Sequence, residues 1–431
     1  MAATPRVVAF VFPMASGHIN PSLPVARRLV ELGHRVHYCC APPMRGAIED
    51  TGAAFHELAR CLPELYDGRE PDVFGAIASL AKEHGLGGSN MRVCRLKLRA
   101  VQVELQLPGM LRFLSEVKAS AVVYCAGFNE VAPAAAKVLG IAAIPLLTCA
   151  GPGCYECMVK QSFDAPLEDV DHEVAEFAPG VAAAERINAK YGVTFERGIP
   201  KPYGRLEGIS LAAGPCLVTT SEDLRDPASE KLLAQYASEG IAFHFVGPLL
   251  DQQGAQRSGA FLKEDTKADQ GGAAEAGGRL VAETRAARAA GRPVVLVSMG
   301  TVVTGDVPQF GWEGRPVGAD GKPHGLSGRE LCRAAWAGCF DAFGAGVADE
   351  GPLLIVGLGP QPDPLGDVVA PANARCARTL PQVDLLRAGV DVFLTHGGQN
   401  SFTESLSQGT PVVVCPGFGD QIVNGRKAVA L

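Results

Sequence analysis

The 431-residue sequence has no long hydrophobic run. Only six apolar residues occur in a row before Pro13, which is shorter than the apolar core of a signal peptide. Nowhere does an apolar stretch reach the length of a membrane-spanning helix. These absences predict a cytoplasmic protein without a transmembrane segment, with peripheral membrane contact as the alternative.

The sequence also lacks an excess of positive charge and a paired metal-binding motif. It has 39 Lys and Arg against 46 Asp and Glu, whereas a nucleic-acid-binding protein usually carries a basic patch. Thirteen cysteines are present, and Cys154 with Cys157 forms a CxxC, but no second CxxC completes a zinc site. We therefore predict reduced thiols, no metal site and no nucleic-acid partner.

Short apolar runs that alternate with helix patterns predict an α/β protein. The run at 7–12 has strand length and is followed by a helix pattern that ends at Gly33. A second run at 36–39 then completes a β-α-β order, which is typical of a parallel sheet.

The length of the chain exceeds what a single core usually supports, so two domains are expected. Residues 251–278 are polar and rich in Gly, as a linker or exposed loop would be. A buried strand pattern resumes at 293–298. We predict an N-terminal domain over 1–248, a linker or loop over 249–292, and a C-terminal domain over 293–431.

The most informative stretch is 395–424, which reads THGGQNSFTESLSQGTPVVVCPGFGDQIVN. An apolar strand leads into His396-Gly397-Gly398, and a helix pattern follows over 400–408. In an open parallel sheet, anions bind at the carboxyl ends of strands, where glycines admit a phosphate and a helix start attracts negative charge. Glu404, one turn further in, suits the hydroxyls of a ribose. HGG also occurs in esterase oxyanion loops, but the sequence has no GxSxG motif.

This stretch resembles the donor-binding signature of the UDP-glycosyltransferases, the inverting enzymes of glycosyltransferase family 1. The matching residues are His396-Gly397-Gly398, Asn400-Ser401, Glu404, Gly409, Pro411, Pro416, Asp420-Gln421 and Asn424. Collinear matches elsewhere are Gly17-His18, Asn20-Pro21, Val246-Gly247-Pro248, Ser298-Met299-Gly300-Thr301, Pro381-Gln382 and Leu385-Leu386. Within the family, the chain looks closer to microbial macrolide- or sterol-type members than to the plant form.

The resemblance implies the GT-B fold, with two Rossmann-like domains whose parallel sheets face each other across a cleft. The N-terminal domain would bind the acceptor and the C-terminal domain the nucleotide sugar. The implied reaction is inverting transfer of a hexose, with glucose favoured, from a UDP-sugar to a hydroxyl of a lipophilic small molecule. The resemblance implies a reaction that needs no metal. It also implies no cofactor, since the UDP-sugar is itself a substrate.

The resemblance also assigns roles to individual residues. His18 would be the general base, since an imidazole titrates near neutrality, although a histidine that caps a helix start is the alternative. The predicted donor-binding residues are Thr301, Gln382, His396, Gly398, Asn400, Ser401, Glu404, Asp420 and Gln421. Of these, Asp420 and Gln421 would bind sugar hydroxyls, with a solvated turn as the alternative.

Two features depart from the family pattern. Cys125 stands where an aspartate usually orients the histidine base, and Glu130 is only a nearby candidate for that role. The chain stops at Leu431, early in the helix after Asp420, so the C-terminal domain is expected to be truncated. Both features favour an alternative function, a catalytically weak or inactive UDP-sugar-binding protein. A nucleotide-sugar epimerase is a third possibility. It ranks below the other two because the sequence lacks the carboxylate pattern of those enzymes.

Overall fold

A computed structural model describes residues 4–159, 165–250, 270–307, 310–315 and 325–431. The chain divides into two compact units, Met1–Asp251 and Gln252–Leu431. Each unit contains one sheet of parallel strands with helices, so the predicted α/β class is confirmed. No helix among the described residues is both long enough and apolar enough to cross a membrane.

The first unit is built on a seven-stranded parallel sheet in the order β3-β2-β1-β4-β5-β6-β7. Its strands are β1 (Val7–Val11), β2 (Arg35–Cys40), β3 (Ala54–Glu57), β4 (Ala121–Cys125), β5 (Ala142–Leu147), β6 (Pro215–Val218) and β7 (Ala242–Phe245). All five residues of β1 are buried. Such a continuous apolar run is expected of a parallel strand that is covered on both faces.

Helices connect these strands. They are α1 (Ser16–Ile19), α2 (Leu23–Glu31), α3 (Arg45–Glu49), α4 (Leu58–Cys61), α5 (Pro63–Tyr66), α6 (Ile77–Glu83), α7 (Met91–Glu116), α8 (Val131–Leu139), α9 (Cys154–Val159), α10 (Leu167–Ala175), α11 (Ala178–Tyr191), α12 (Glu207–Ser210) and α13 (Glu230–Ser238). Short 3-10 turns cover Asn20–Ser22, Pro42–Met44 and Glu222–Leu224. Residues of α7, α8 and α11 share one buried apolar cluster with β1 and β4, which fixes the strand ends that carry the site.

The second unit contains a five-stranded parallel sheet in the order β10-β9-β8-β11-β12. The strands are β8 (Val294–Ser298), β9 (Leu353–Gly357), β10 (Ala374–Ala377), β11 (Val392–Thr395) and β12 (Val412–Val414). The helices are α14 (Gln270–Ala289), α15 (Gly328–Phe343), α16 (Gln382–Gly389), α17 (Gln399–Ser407) and α18 (Asp420–Ala430). This order has the same pattern as the first five strands of the other unit.

The prediction of a linker or loop over 249–292 is wrong for residues 270–289, which form the helix α14. Leu280 and Ala287 of α14 are buried against the strand residues Val294 and Leu296. The many alanines of this segment favour a helix, and burial of one side stabilises it. Residues 251–269 of the predicted linker lie outside the described residues.

In both sheets the first strand lies beside a strand that comes later in the chain. β1 pairs with β2 and β4, and β8 pairs with β9 and β11. The connections leave such a strand pair in opposite directions, which opens a crevice at the carboxyl ends of the strands. Ligands bind in that crevice in open α/β sheets, so each unit has one expected position for a site.

Candidate active site

His18 lies at the carboxyl edge of the first sheet, in the short helix α1 that follows β1. Its Nδ1 atom is 2.8 Å from Oγ1 of Thr148 and 3.3 Å from Sγ of Cys125. Cys125 is the last residue of β4, and Thr148 follows the last residue of β5. Three neighbouring strands therefore bring one imidazole, one thiol and one hydroxyl together.

An aromatic ring and an ion pair complete the surroundings of His18. The Phe128 ring meets the imidazole edge-on, with centroids 4.5 Å apart, and the guanidinium of Arg95 lies 4.7 Å from the Phe128 centroid. Arg95 is paired with Glu130 at 3.1 Å. Burial, followed by the charge of Arg95, lowers the pKa of His18 to about 4. The half-buried ring is therefore neutral near pH 7.

The residues that face Nδ1 of His18 carry no negative charge. Burial raises the pKa of the Cys125 thiol to about 12, which keeps it protonated. Glu130, the candidate substitute for the missing aspartate, pairs with Arg95 instead. Among the described residues no carboxylate is hydrogen-bonded to His18. Thr148 was not predicted, because a hydroxyl after a buried strand belongs to no motif.

His396 occupies the corresponding edge of the second sheet, directly after β11. Its ring fits between two glycines. A Cβ on Gly300 would lie 2.3 Å from Cε1 of His396, and a Cβ on Gly398 would lie 2.4 Å from Nε2. Gly300 also has a φ of +76°, which other residues rarely adopt. Burial lowers the pKa of His396 to about 4, against the opposing effect of the Ser298 carbonyl, so the ring offers hydrogen bonds rather than charge.

Three predicted donor-binding residues form a buried polar cluster. The amide Nε2 of Gln382, the first residue of α16, donates to Oε2 of Glu404 at 2.7 Å and to Oγ of Ser401 at 3.1 Å. Glu404 is only 2% exposed. A buried carboxylate is costly unless hydrogen bonds satisfy it, and Gln382 supplies one of them. These hydrogen bonds connect α16 to α17 at the place where the sequence predicted the ribose of a nucleotide to bind.

The turn before α18 is tied to the start of α17. Oδ2 of Asp420 accepts a hydrogen bond from the backbone N–H of Gln399 at 2.9 Å. Oε1 of Gln421 accepts from the N–H of Gly417 at 2.8 Å, and the side chain of Asn424 donates to the carbonyl of Gly397 at 2.9 Å. Asp420 and Gln421 thus form backbone contacts and are not a solvated turn. Their predicted contacts with sugar hydroxyls stay a prediction.

The remaining predicted residues lie at the same edge. Thr301 is half-buried in the turn that follows β8, and Asn400 is half-buried in the first turn of α17. Gly398 precedes α17 and contributes no side-chain cap. The positive end of the helix is therefore open to other groups. One of them is the carboxylate of Asp420, which accepts a hydrogen bond there.

A cavity of about 370 Å³ lies elsewhere in the first unit. Residues such as Ile141 and Ala213 line it, just before β5 and β6, so it opens at the amino ends of the strands and not at the edge that carries His18. Three of its charged residues are paired with one another, because Arg205 contacts Glu196 at 2.7 Å and Glu239 at 2.8 Å. We assign no function to this cavity.

Residues 359–430 match the family model described as UDP-glucoronosyl and UDP-glucosyl transferase. This range contains Gln382, Glu404 and every other predicted donor-binding residue except Thr301. Residues 359–430 thus carry the UDP-glycosyltransferase domain of that model.

Similarity to characterised glycosyltransferases extends beyond this range. NDP-glycosyltransferase YjiC of Bacillus subtilis (strain 168) is 22% identical over 421 residues, which is 96% of this chain and 80% of the relative. Flavonol 3-O-glucosyltransferase of Arabidopsis thaliana is 53% identical over 47 residues, or 11% of this chain and 10% of the relative. The protein is thus a glycosyltransferase that uses a nucleotide-sugar donor.

Solved structures agree on the fold. The glycotransferase of kitacinnamycin has a TM-score of 0.56 at 21% identity and matches 99% of this chain and 85% of its own. Together with the two Rossmann-like units, this likeness confirms the GT-B fold.

The burial of His18 predicts that its imidazole has a lowered pKa. We expect a pKa near 4 in the substrate-free protein, because burial and Arg95 disfavour the charged ring. The unfolded chain takes up this proton near pH 6.5, so the linked stability is complete above that pH and is lost as the pH falls towards 4. An NMR titration of the imidazole measures the value. A midpoint near 6.5 would contradict the prediction.

The position of His396 depends on Gly300. We expect Gly300→Ala to lower the free energy of unfolding by about 1–3 kcal/mol, because the new Cβ meets the imidazole at a positive φ. Urea unfolding measures the change. The matched control is Gly338→Ala in α15, where a Cβ meets nothing within 4 Å and stability should stay equal or rise. Equal losses in both variants would show that His396 sets no such constraint.

Proposed function

We propose that the protein transfers a hexose, with glucose favoured, from a UDP-sugar to a hydroxyl of a lipophilic small molecule, with inversion at the anomeric carbon. The observation that carries this proposal is the buried cluster of Gln382, Ser401 and Glu404, one turn inside the start of α17. A carboxylate held in this place suits the hydroxyls of a ribose, and the helix start beside it suits a diphosphate.

In the proposed donor site, His396 and the first turn of α17 receive the diphosphate. The backbone N–H groups of that turn and the helix dipole stabilise the negative charge that develops on the leaving group, and the neutral His396 ring lies beside them. Asp420 and Gln421 lie at the next turn and are proposed to contact the sugar hydroxyls. We assign no role to a metal ion or a cofactor.

In the proposed reaction, Nε2 of His18 accepts the proton of the acceptor hydroxyl. The acceptor oxygen forms a bond to the anomeric carbon from the side opposite to the diphosphate, and the bond between that carbon and the diphosphate oxygen breaks as UDP leaves. A single displacement of this kind inverts the configuration. Nδ1 of His18 is occupied by Thr148 and Cys125, so Nε2 is the nitrogen proposed for the reaction.

A lipophilic acceptor is supported by aromatic residues beside the proposed base. Phe74 and Phe128 have ring centroids 5.4 Å apart, and Phe128 contacts the His18 ring. The flavonol that the name of the Arabidopsis relative mentions is a flat phenolic compound that such rings could hold. We therefore include flavonols among the first acceptors to test. The cytoplasmic location stays a prediction.

A second candidate function is UDP-sugar binding with weak turnover. Thr148 and Cys125 face Nδ1 of His18 where a carboxylate would stabilise the protonated ring. A base with a pKa near 4 accepts a proton less readily than one tuned to neutral pH. Turnover then separates the two candidates, because both bind the donor.

The test of the leading proposal uses UDP-glucose with flavonol, sterol and macrolide acceptors. We expect UDP release and a glycoside of inverted configuration, with His18→Ala reducing kcat about 10²- to 10⁴-fold. His244→Ala, at an exposed position on the edge strand β7, is the matched control and should keep full activity. Tight UDP binding without a glycoside would favour the second candidate.

Donor recognition is tested separately by calorimetry. We expect Glu404→Gln to weaken UDP binding about 10- to 100-fold, because hydrogen bonds to a charged carboxylate are lost. Glu350→Gln, at an exposed position in the same unit, is the control. Affinities for GDP and thymidine diphosphate in the same experiment measure base specificity. An unchanged UDP affinity of the Glu404 variant would remove this residue from the donor site.

A further inference from the structure

The imidazole of His18 must have a particular tautomer if it is to act as a base at Nε2. A neutral imidazole carries a single N–H, so Nε2 is free to accept a proton only when that hydrogen is on Nδ1. A carboxylate enforces this arrangement because it can only accept. The described residues around Nδ1 provide a thiol and a hydroxyl in its place.

The hydroxyl of Thr148 is the better acceptor of the two. Its Oγ1 atom lies 2.8 Å from Nδ1, which is an ordinary N–H to O hydrogen-bond distance, while Sγ of Cys125 lies at 3.3 Å. A protonated thiol is a weak acceptor. Thr148 is only 5% exposed, so water competes little for its hydroxyl.

Thr148 is also held in place by the backbone. It follows the last residue of β5, and the N–H of Thr219 donates to the carbonyl of the preceding Leu147 at 3.0 Å. The edge-on contact with Phe128 restricts the imidazole from another side. Because both partners are fixed, one hydrogen bond between them is enough to select the ring orientation.

We propose that Thr148 is the positioning residue of this active site: its hydroxyl accepts the Nδ1 hydrogen of His18 and leaves the Nε2 lone pair for the acceptor hydroxyl. This proposal rests on the proposed role of His18 as base. A neutral hydroxyl sets the tautomer and the orientation of the ring, whereas it adds no charge that would stabilise the protonated ring. Thr148 therefore replaces only part of what a carboxylate does.

The first experiment measures the tautomer directly, by ¹⁵N NMR of His18 in the full-length, substrate-free protein. We expect the hydrogen on Nδ1 in the wild type and in Thr148→Ser, and a shift towards Nε2 in Thr148→Val. The matched control is Thr220→Val, because Thr220 is fully buried and its hydroxyl has no hydrogen-bond partner among the described residues. A hydrogen on Nε2 in the wild type, or an unchanged tautomer in Thr148→Val, would overturn the proposal.

The second experiment measures turnover. We expect Thr148→Val to lower kcat about tenfold, the effect of one lost hydrogen bond, with the KM for UDP-glucose unchanged and with recovery in Thr148→Ser. If Thr148→Val does not fold, Cys125→Ala decides the question. An unchanged tautomer and kcat in that variant support Thr148, and a shifted tautomer would assign the positioning role to Cys125 instead.

The two experiments also separate this inference from the proposed function. Full activity of His18→Ala would end the assignment of His18 as base, whatever tautomer the ring has. A normal loss of activity in His18→Ala, combined with wild-type kcat in Thr148→Val, would keep the base and reject Thr148 as its positioning residue.

Discussion

Parallel strand pairing is the constraint on which the rest of this structure depends. Strands such as β1 and β8 are covered on both faces, so their side chains are apolar and leave no room for chemistry within the sheet. In β8 the only polar residue, Ser298, is the last one. At the carboxyl ends, neighbouring strands bring together residues far apart in the chain, as with His18, Cys125 and Thr148 in one unit and Gly300 with His396 in the other.

The sequence predicted the inner strands better than the outer ones. β1, β8 and β11 were predicted as apolar strands, and each lies inside its sheet, where both faces need covering. The unpredicted strands β3, β7 and β10 are all edge strands of four residues with mixed polarity. An edge strand is partly open to water, so its residues need not form a continuous apolar run. The helix α14 escaped prediction because its glycines resemble a linker.

The candidate site was predictable where it follows a local motif and unpredictable where it depends on long-range contacts. Ser401 and Glu404 were predicted from the donor signature and Gln382 from a collinear match before it, and the structure brings them together. Thr148 contacts His18 across 130 positions of the chain, and no spacing rule connects the two. Cys125 could be placed from the sequence, but its distance from the imidazole and its protonation follow only from burial in the folded unit.

The hydrogen bond between Gln382 and Glu404 has a consequence for the choice of nucleotide. The carboxylate already has an internal partner, so in the proposed donor site a ligand hydroxyl would compete with an amide and not with bulk water. A deoxyribose would leave Glu404 with this partner instead of stranding a bare charge. In the proposed site the penalty against deoxynucleotide donors is then smaller than for an unpaired buried carboxylate, so we expect it to accept both ribose and deoxyribose donors.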